Sequence, residues 1–135
     1  MFTTKIAIVV REDLAAWQKL NVTAFLASGI AASVPGCIGE AYVDAAGRIY
    51  SAMCGQPILV FAGSLAELQK AHGRAVEQDL VIVPYVEAMF ATGHDAANRA
   101  VFAEGDVSAQ TWAGLAVQGD RKAVDKALKG LKLHP

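Results

Sequence analysis

The chain has 135 residues, of which 54% are hydrophobic and 19% charged, and its formal net charge is −1. This length fits one domain with a substantial core, and the composition excludes an intrinsically disordered chain. The near-neutral charge does not fit a generally cationic nucleic-acid-binding protein, so only a local basic patch remains for such a role. We therefore expect a single globular domain over residues 1–135.

The cysteines and the apolar stretches indicate the compartment. Only two cysteines occur, Cys37 and Cys54. A secreted domain stabilised by disulfides would carry more of them, so we expect two free thiols in a reducing cytoplasm. The N-terminus lacks the basic start and the cleavage site of a signal peptide. Residues 20–39 contain no charged side chain, but Asn21 and Pro35 interrupt them, which favours a buried helix over a membrane span.

The first half of the chain predicts a strand, a long helix and a hairpin. Lys5–Val10 is dense in β-branched residues, which indicates a buried strand. Asp13 can cap the next helix, which runs from about residue 14 to residue 33 and ends before Pro35. A small β-hairpin follows, because two short apolar segments flank a turn in which Gly47 supplies a positive φ.

The second half alternates strands and helices. Ser64 and Glu67 have the spacing of a capping box, and Asp120 can cap a last helix that ends at Gly130 in the left-handed conformation. Buried strands are predicted at Pro57–Phe61, Leu80–Val83 and Trp112–Val117, and a further helix at about residues 92–104. This alternation predicts an α/β domain with a largely parallel sheet covered on both faces.

The two ends of the chain carry a family resemblance. KIAIVVREDL (Lys5–Leu14) resembles the opening strand and R-x-D-L motif of the archaeal and eukaryotic type of peptidyl-tRNA hydrolase. DKALKGLKL (residues 125–133) resembles their D-x-x-T-G-x-L-K-L ending, and DLVIVPYVEAM (residues 79–89) resembles their strand that ends in D-A-G. An uncharacterised bacterial family of the same fold, a domain of unknown function, resembles essentially the whole chain. These resemblances imply a three-layer α/β/α domain with a mixed, mostly parallel four-stranded sheet and a small hairpin.

The hydrolase site is carried over only in part. The family lysine falls on Leu20, beside Lys19, and the aspartate of D-A-G falls on Glu87. One helical step rotates a side chain by about 100°, so Lys19 does not directly replace the missing ammonium group. Single donors of this kind supply roughly 3 kcal/mol of transition-state stabilisation, so we expect no efficient peptidyl-tRNA hydrolysis. Other family positions, those of its glutamine, histidine and threonine, fall on Ala24, Ala27 and Ala91.

Four residues form the candidate pocket: Lys19, Asn21, Thr23 and Glu87. A buried amide without partners costs roughly 1–3 kcal/mol, so Asn21 either lines a ligand pocket beside Glu87 or bonds a neighbouring loop. Glu87 follows the third predicted strand, at the sheet edge where α/β proteins bind ligands. It is either a general base raised in pKa by desolvation or a solvated residue favoured by a helix dipole.

Three functional hypotheses follow. The preferred one is a small-molecule or regulatory binding protein on a hydrolase-like fold, because the catalytic lysine and threonine of the hydrolases are missing. The alternative is a divergent hydrolase of a peptidyl- or aminoacyl-RNA-like ester that uses Glu87. The third is a homodimer formed through an apolar face such as Trp17 or Trp112. The sequence predicts no cofactor and no metal site, and it leaves open whether the protein is an enzyme. A run of lysines near the C-terminus is either a solvated helix face or a stripe that contacts RNA.

Overall fold

The computed structural model describes residues 2–106 and 109–135. Within these residues, 3₁₀-helices lie at Pro35–Cys37 and Glu87–Ala91. The remaining elements, in chain order, are β1 (Thr4–Arg11), α1 (Ala16–Ser33), β2 (Tyr42–Val43), β3 (Ile49–Tyr50), β4 (Ile58–Gly63), α2 (Leu65–Glu77), β5 (Val81–Val86), α3 (Asp95–Glu104), β6 (Trp112–Asp120), α4 (Arg121–Ala127) and β7 (Lys132–Leu133).

The main sheet is mixed, five-stranded and ordered β5-β6-β1-β4-β7, while β2 and β3 form the predicted hairpin. The prediction of a mostly parallel, four-stranded sheet is wrong. Only β1 and β4 pair in parallel, whereas β6 runs antiparallel to both of its neighbours and β7 runs antiparallel to β4. A parallel strand needs a crossover, and α3 does not provide one, because it packs on the 3₁₀-helix that follows β5. The chain therefore re-enters the sheet at the end where β5 leaves it, and β6 runs in the opposite direction to β5.

Helices cover β1 on both faces. α1 packs against β5, β6 and β1, whereas α2 and α4 pack against each other and against β6 and β1. Every residue from Ile6 to Arg11 is consequently buried, as the continuous run of β-branched residues predicts. At the edge of the sheet, Gly130 adopts a φ of 92° and turns the chain back, so that the apolar tail becomes the short strand β7.

Several local predictions are confirmed. The amide of Glu67 donates to the Ser64 hydroxyl at 3.2 Å, and the amide of Ser64 donates to the Glu67 carboxylate at 3.0 Å, which completes the capping box. Gly47 adopts a φ of 86° in the hairpin turn. The prediction that Asp13 caps α1 is wrong. Its carboxylate accepts a hydrogen bond from the Arg11 side chain, and Ala15 occupies the N-cap position.

The C-terminal helix differs from its prediction in two ways. Asp120 stands at the N-cap position of α4, but its side chain makes no cap hydrogen bond. The amide of Arg121 donates instead to the Thr3 carbonyl at 2.9 Å, because β6 runs directly into the helix beside the start of β1. α4 ends at Ala127, so Lys129 does not extend the predicted helical row of lysines.

Among residues 2–106 and 109–135, no helix combines the length and the hydropathy that a bilayer-spanning segment needs. The uncharged stretch from residue 20 contributes most of α1, whose core-facing side chains are Val22, Leu26 and Ile30.

Candidate functional site

Glu87 lies at the sheet edge where β1 and β5 end, and it forms an ion pair there. Arg11, the last residue of β1, donates from Nη1 to Oε2 of Glu87 at 3.1 Å and to the Trp112 carbonyl at 3.1 Å. Its Nε donates to the carboxylate of Asp13 at 2.6 Å. The Arg11 side chain is 10% exposed, whereas the Glu87 side chain is 52% exposed. Glu87 is therefore tied to a nearly buried guanidinium rather than left free at the edge.

The charges of this cluster reinforce one another. Burial lowers the pKa of Arg11, but the hydrogen bonds to Asp13 and Glu87 outweigh it, so the pKa ends above its ordinary value. The hydrogen bond from Arg11 lowers the pKa of Asp13. Arg11 was not among the candidate site residues that the sequence indicated. The signal that identifies it is an arginine at the last position of a buried strand, with an aspartate two residues later.

Lys19 and Thr23 lie together on α1, as their four-residue spacing requires. They line a groove of about 350 Å³, whose other lining residues are Val10, Ala16, Leu20, Val60 and His134. The Nζ of Lys19 lies 3.2 Å from Nε2 of His134, and the Thr23 hydroxyl donates to the Lys19 carbonyl at 2.7 Å. The only hydroxyl proton of Thr23 is thus used within the helix, and the lysine faces the C-terminal tail.

Asn21 lines a different cavity, of about 290 Å³, between α1 and the segment that follows β5. The lining residues are Trp17, Asn21, Phe25, Tyr85, Met89, Phe90, Thr92, Gly93, His94, Asp95 and Asn98, and they do not include Glu87. The structure therefore distributes the four candidate residues over three surroundings: the Lys19–Thr23 groove, the cavity at Asn21, and the ion pair of Glu87 with Arg11.

Aromatic rings form the walls of the cavity at Asn21. The rings of Trp17 and Phe90 meet edge to face with their centroids 5.8 Å apart, and those of Tyr85 and Phe90 are 5.2 Å apart. Phe25 adds a ring 6.0 Å from Tyr85. Trp17 is 61% exposed and Phe25 is 54% exposed, so the walls are accessible from solvent. The spacing of Trp17, Asn21 and Phe25, each four residues apart, is the sequence signal for this face.

The polar groups of the cavity have defined roles. The Thr92 hydroxyl donates to the Met89 carbonyl at 2.9 Å and also contacts the Asn98 side chain. The atom of Asn98 that faces the Thr92 hydroxyl is the carbonyl oxygen Oδ1, so the NH₂ group of Asn98 is the part of this amide left to other partners. The Nδ1 of His94 accepts from the Ala97 amide at 3.2 Å, which places the proton of the neutral ring on Nε2.

A second cavity of about 260 Å³ adjoins the first and shares Phe25, Tyr85, Met89, Asp95 and Asn98 with it. We call the two together the α1–α3 groove. Its charged side chains, Asp95 and Arg99, form an ion pair one helical turn apart. Burial raises the pKa of Tyr85, so its hydroxyl stays protonated at neutral pH. The groove thus offers aromatic surface, amides and neutral donors.

Metal ligands do not cluster in the part of the chain that the structure describes: no three His, Cys, Asp or Glu side chains are placed to share an ion. The apolar face predicted for a homodimer also needs revision. Trp112 is 1% exposed and packs against the His72 and Phe102 rings, so it does not contribute to an exposed face. Trp17 remains exposed at the mouth of the groove.

Residues 4–135 match a family model that is described as "Protein of unknown function (DUF2000)". A solved structure of a protein of unknown function from Agrobacterium tumefaciens has 52% sequence identity to the chain and a TM-score of 0.97, with 100% of both chains covered. No curated protein matches the chain. The fold described above is therefore also the fold of a protein that shares about half of its residues.

Proposed function

The chain belongs to the DUF2000 family of proteins of unknown function, and we propose that it binds a small, neutral, planar molecule in the α1–α3 groove. One observation carries the proposal: three elements bring aromatic rings around a cavity that the side-chain amides of Asn21 and Asn98 also line. Trp17 and Phe25 come from α1, Tyr85 from β5 and Phe90 from the 3₁₀-helix that follows it.

The aromatic walls favour a flat, partly apolar ligand. Ring pairs contribute about 0.5–1.5 kcal/mol beyond the area that they bury, and Trp17 and Phe90 each have a ring at the cavity. The cavities, of about 260 and 290 Å³, are each slightly smaller than the range for small-molecule sites, roughly 300–1,000 Å³, and they adjoin each other. A ligand of one or two fused rings fits this size.

The charges around the groove favour a neutral ligand. Asp95 and Arg99 neutralise each other, and the amides of Asn21 and Asn98 supply hydrogen-bond donors and acceptors without net charge. An anion or a cation would have to compete with the Asp95–Arg99 pair. An amide-like edge on the ligand would instead match the NH₂ group of Asn98, whose carbonyl oxygen faces the Thr92 hydroxyl.

The proposal includes a fold like that of the peptidyl-tRNA hydrolases, but without the catalytic lysine of those enzymes, whose position is Leu20 in this chain. The hydrogen bond of Lys19 to His134 supports this part, because it holds the ammonium group in the groove that Thr23 lines, whereas Glu87 is held by Arg11. We keep the predicted cytoplasmic location as part of the same proposal.

A hydrolase that uses Glu87 is the second candidate, and the position of Glu87 at the end of β5, half exposed, is what favours it. Its carboxylate already accepts a hydrogen bond from Arg11, so we place this function second. A peptidyl-tRNA turnover assay separates the two. We expect peptidyl-tRNA to be hydrolysed at the uncatalysed rate with both the wild-type protein and the Glu87→Gln variant. If the wild-type protein hydrolyses it faster and Glu87→Gln abolishes this activity, the hydrolase becomes the first candidate.

Binding is tested with a defined probe, quinolin-2(1H)-one, a neutral bicyclic amide. We expect a titration followed by ¹H–¹⁵N NMR to shift the signals of the Trp17 indole and of the Asn21 and Asn98 side-chain amides. Quinoline-2-carboxylate, which has a similar size and a negative charge, should bind more weakly. Equal shifts for the two probes, or shifts only around the groove of Lys19, would contradict the proposal.

Two variants sharpen this test. Asn98→Ala removes one hydrogen bond, worth about 1.4 kcal/mol, so the dissociation constant for the neutral probe should rise about tenfold. Lys19→Met is the matched control, because Lys19 lies on the same helix but lines the other groove. The control should bind the probe as the wild-type protein does.

Self-association stays a proposal. Leu20 is 72% exposed on α1, beside the partly uncovered face of β4, and it is an apolar side chain that a second copy of the chain would cover. Light scattering should give a dimer that Leu20→Lys converts to a monomer, whereas a wild-type monomer would refute this interface.

A further inference from the structure

The two cysteines are distant in the sequence but lie on backbone segments that pair. Ile38 and Cys54 form an isolated antiparallel bridge between the segment after α1 and the segment before β4. The Gly55 amide donates to the Cys37 carbonyl at 2.7 Å, and the Gly39 amide donates to the Met53 carbonyl at 2.8 Å. These bonds fix the register on both sides of the bridge.

The bridge brings the backbones of Cys37 and Cys54 close together. Directly opposed residues in an antiparallel pair have Cα atoms about 4.5–5.5 Å apart, and Cys37 is the neighbour of Ile38, the bridge partner of Cys54. Cys37 is the last residue of a 3₁₀-helix, so its side chain does not follow the face alternation of an extended strand and can face Cys54. Disulfides need a Cα separation of roughly 4.4–6.8 Å. Glycines permit the close approach of the two segments, since a Cβ on Gly55 would come within 3.3 Å of the Gly39 Cα.

The thiols also interact with each other. Burial raises the pKa of Cys37, and the hydrogen bond and charge interaction with the Cys54 thiol raise it further. Cys37 is 8% exposed and packs in the core, whereas Cys54 is half-buried and its thiol contacts the Gln56 carbonyl at 3.4 Å. The Cys54 thiol is therefore accessible to a small reagent, whereas the Cys37 thiol is buried.

We propose that Cys37 and Cys54 form a modification site, which a low-molecular-weight disulfide such as oxidised glutathione converts to an intramolecular disulfide. The site is independent of the α1–α3 groove. The disulfide closes a ring around the hairpin of β2 and β3, whose strand residues are all exposed.

The reaction takes place in two exchange steps. The Cys54 thiol loses its proton to solvent, its thiolate attacks one sulfur of oxidised glutathione, and the other half of the reagent leaves as a thiolate. The thiol of Cys37 then loses its proton, its thiolate attacks the Cys54 sulfur of this mixed disulfide, and the second glutathione leaves. The two protein thiols are oxidised to one disulfide, and one oxidised glutathione is reduced to two thiols after proton uptake.

The site is tested by incubating the full chain with oxidised glutathione, quenching with acid and measuring the intact mass. We expect the protein to lose two hydrogens, to carry no glutathione and to give one cross-linked peptide that joins residues 37 and 54. A wild-type protein that accumulates a stable glutathione adduct, that keeps both thiols, or that forms a disulfide between two chains would overturn the proposal.

Single variants assign the order of the steps. In Cys37→Ser the accessible Cys54 should keep one glutathione as a stable adduct, because the resolving thiol is gone. In Cys54→Ser the buried Cys37 should react at least tenfold more slowly. Similar rates for the two variants would refute the assigned roles of the thiols.

A second measurement separates a prearranged pair from any pair of thiols in one chain. The equilibrium ratio of the disulfide to the dithiol in glutathione buffers gives the effective concentration of the two thiols. We expect this value to be at least tenfold higher for the folded protein than for the same protein in concentrated urea. Equal values would show that the fold does not bring the thiols together.

Discussion

Replacing Gly114 with alanine tests the packing of α1 over the sheet. A Cβ at this position in β6 would lie 2.7 Å from Cγ1 of Val22 and 2.8 Å from the carbonyl oxygen of Val9. The side chain of Val22 can shift a little, but the carbonyl belongs to the central strand, where Gly114 is paired with Val10. Gly114→Ala must therefore push β6 away from β1 or α1 away from the sheet. Overpacking of this kind costs about 1–3 kcal/mol.

The matched control is Gly73→Ala in α2. Gly73 is exposed in the middle of the helix, and a Cβ there would meet no atom within 4 Å beyond the adjacent residues and nearby backbone of α2 itself. Alanine is about 0.5–1 kcal/mol more favourable than glycine in a helix interior, so this variant should be more stable than the parent. The same chemical change is thus expected to act with opposite signs at the two positions.

Thermal unfolding followed by far-UV circular dichroism measures both effects. At about 4 °C of Tm per kcal/mol for a domain of this size, Gly114→Ala should melt about 4–12 °C lower and Gly73→Ala about 2–4 °C higher. A Gly114→Ala variant as stable as the parent would refute the close approach of α1, β1 and β6.

Three further results are expected. Arg11→Met leaves the Trp112 carbonyl without its side-chain donor and should cost about 1–3 kcal/mol in urea unfolding, whereas Glu87→Gln, at a half-exposed side chain, should cost less than about 1 kcal/mol; equal losses would contradict the burial of Arg11. Burial lowers the pKa of His72 below its ordinary 6.5, so the unfolded chain takes up protons more readily than the folded one. The stability of the fold should therefore decrease as the pH drops through 6.5. Urea midpoints measured from pH 7.5 to 5 should show this decrease, and His72→Phe should weaken it. Ser64→Ala removes the α2 cap and should lower the Tm by about 4 °C, with an unchanged Tm as the contrary result.

Local signals in the sequence were sufficient where a few neighbouring residues decide the structure. The Ser64–Glu67 capping box and the glycines at positive φ are confirmed, because their hydrogen bonds and backbone angles depend on the residues beside them. Asp13 shows where such reasoning stops. It is a good N-cap residue, but Arg11, two residues earlier, offers its carboxylate a charged partner.

Strand direction could not be predicted from the hydrophobic pattern. β6 is an apolar run like β1, and such a run has the same pattern whether its neighbours are parallel or antiparallel. What decides its direction is that α3 stays at the end of β5, where it packs on the 3₁₀-helix Glu87–Ala91. β7 is too short to have a periodic signal of its own.

The grouping of the candidate residues could not be predicted from the sequence. Lys19 and Thr23 line one groove, and Asn21 lines another cavity. Glu87 is not grouped with Asn21, because its carboxylate binds the side chain of Arg11 at the sheet edge. Arg11 lies 76 positions away from Glu87 in the sequence. A one-dimensional pattern contains no information about such a partner.

The position of β6 between β5 and β1 has a consequence for how the chain acquires its structure. Residues 4–10 and 114–120 are direct partners, so the middle of the sheet closes only when the two distant parts of the chain meet. Until then β1 and β5 each lack a neighbour, and their apolar side chains stay open to aggregation during synthesis. Folding should accordingly be slow for a domain of this length, and a chaperone that shields the first strand should raise the yield.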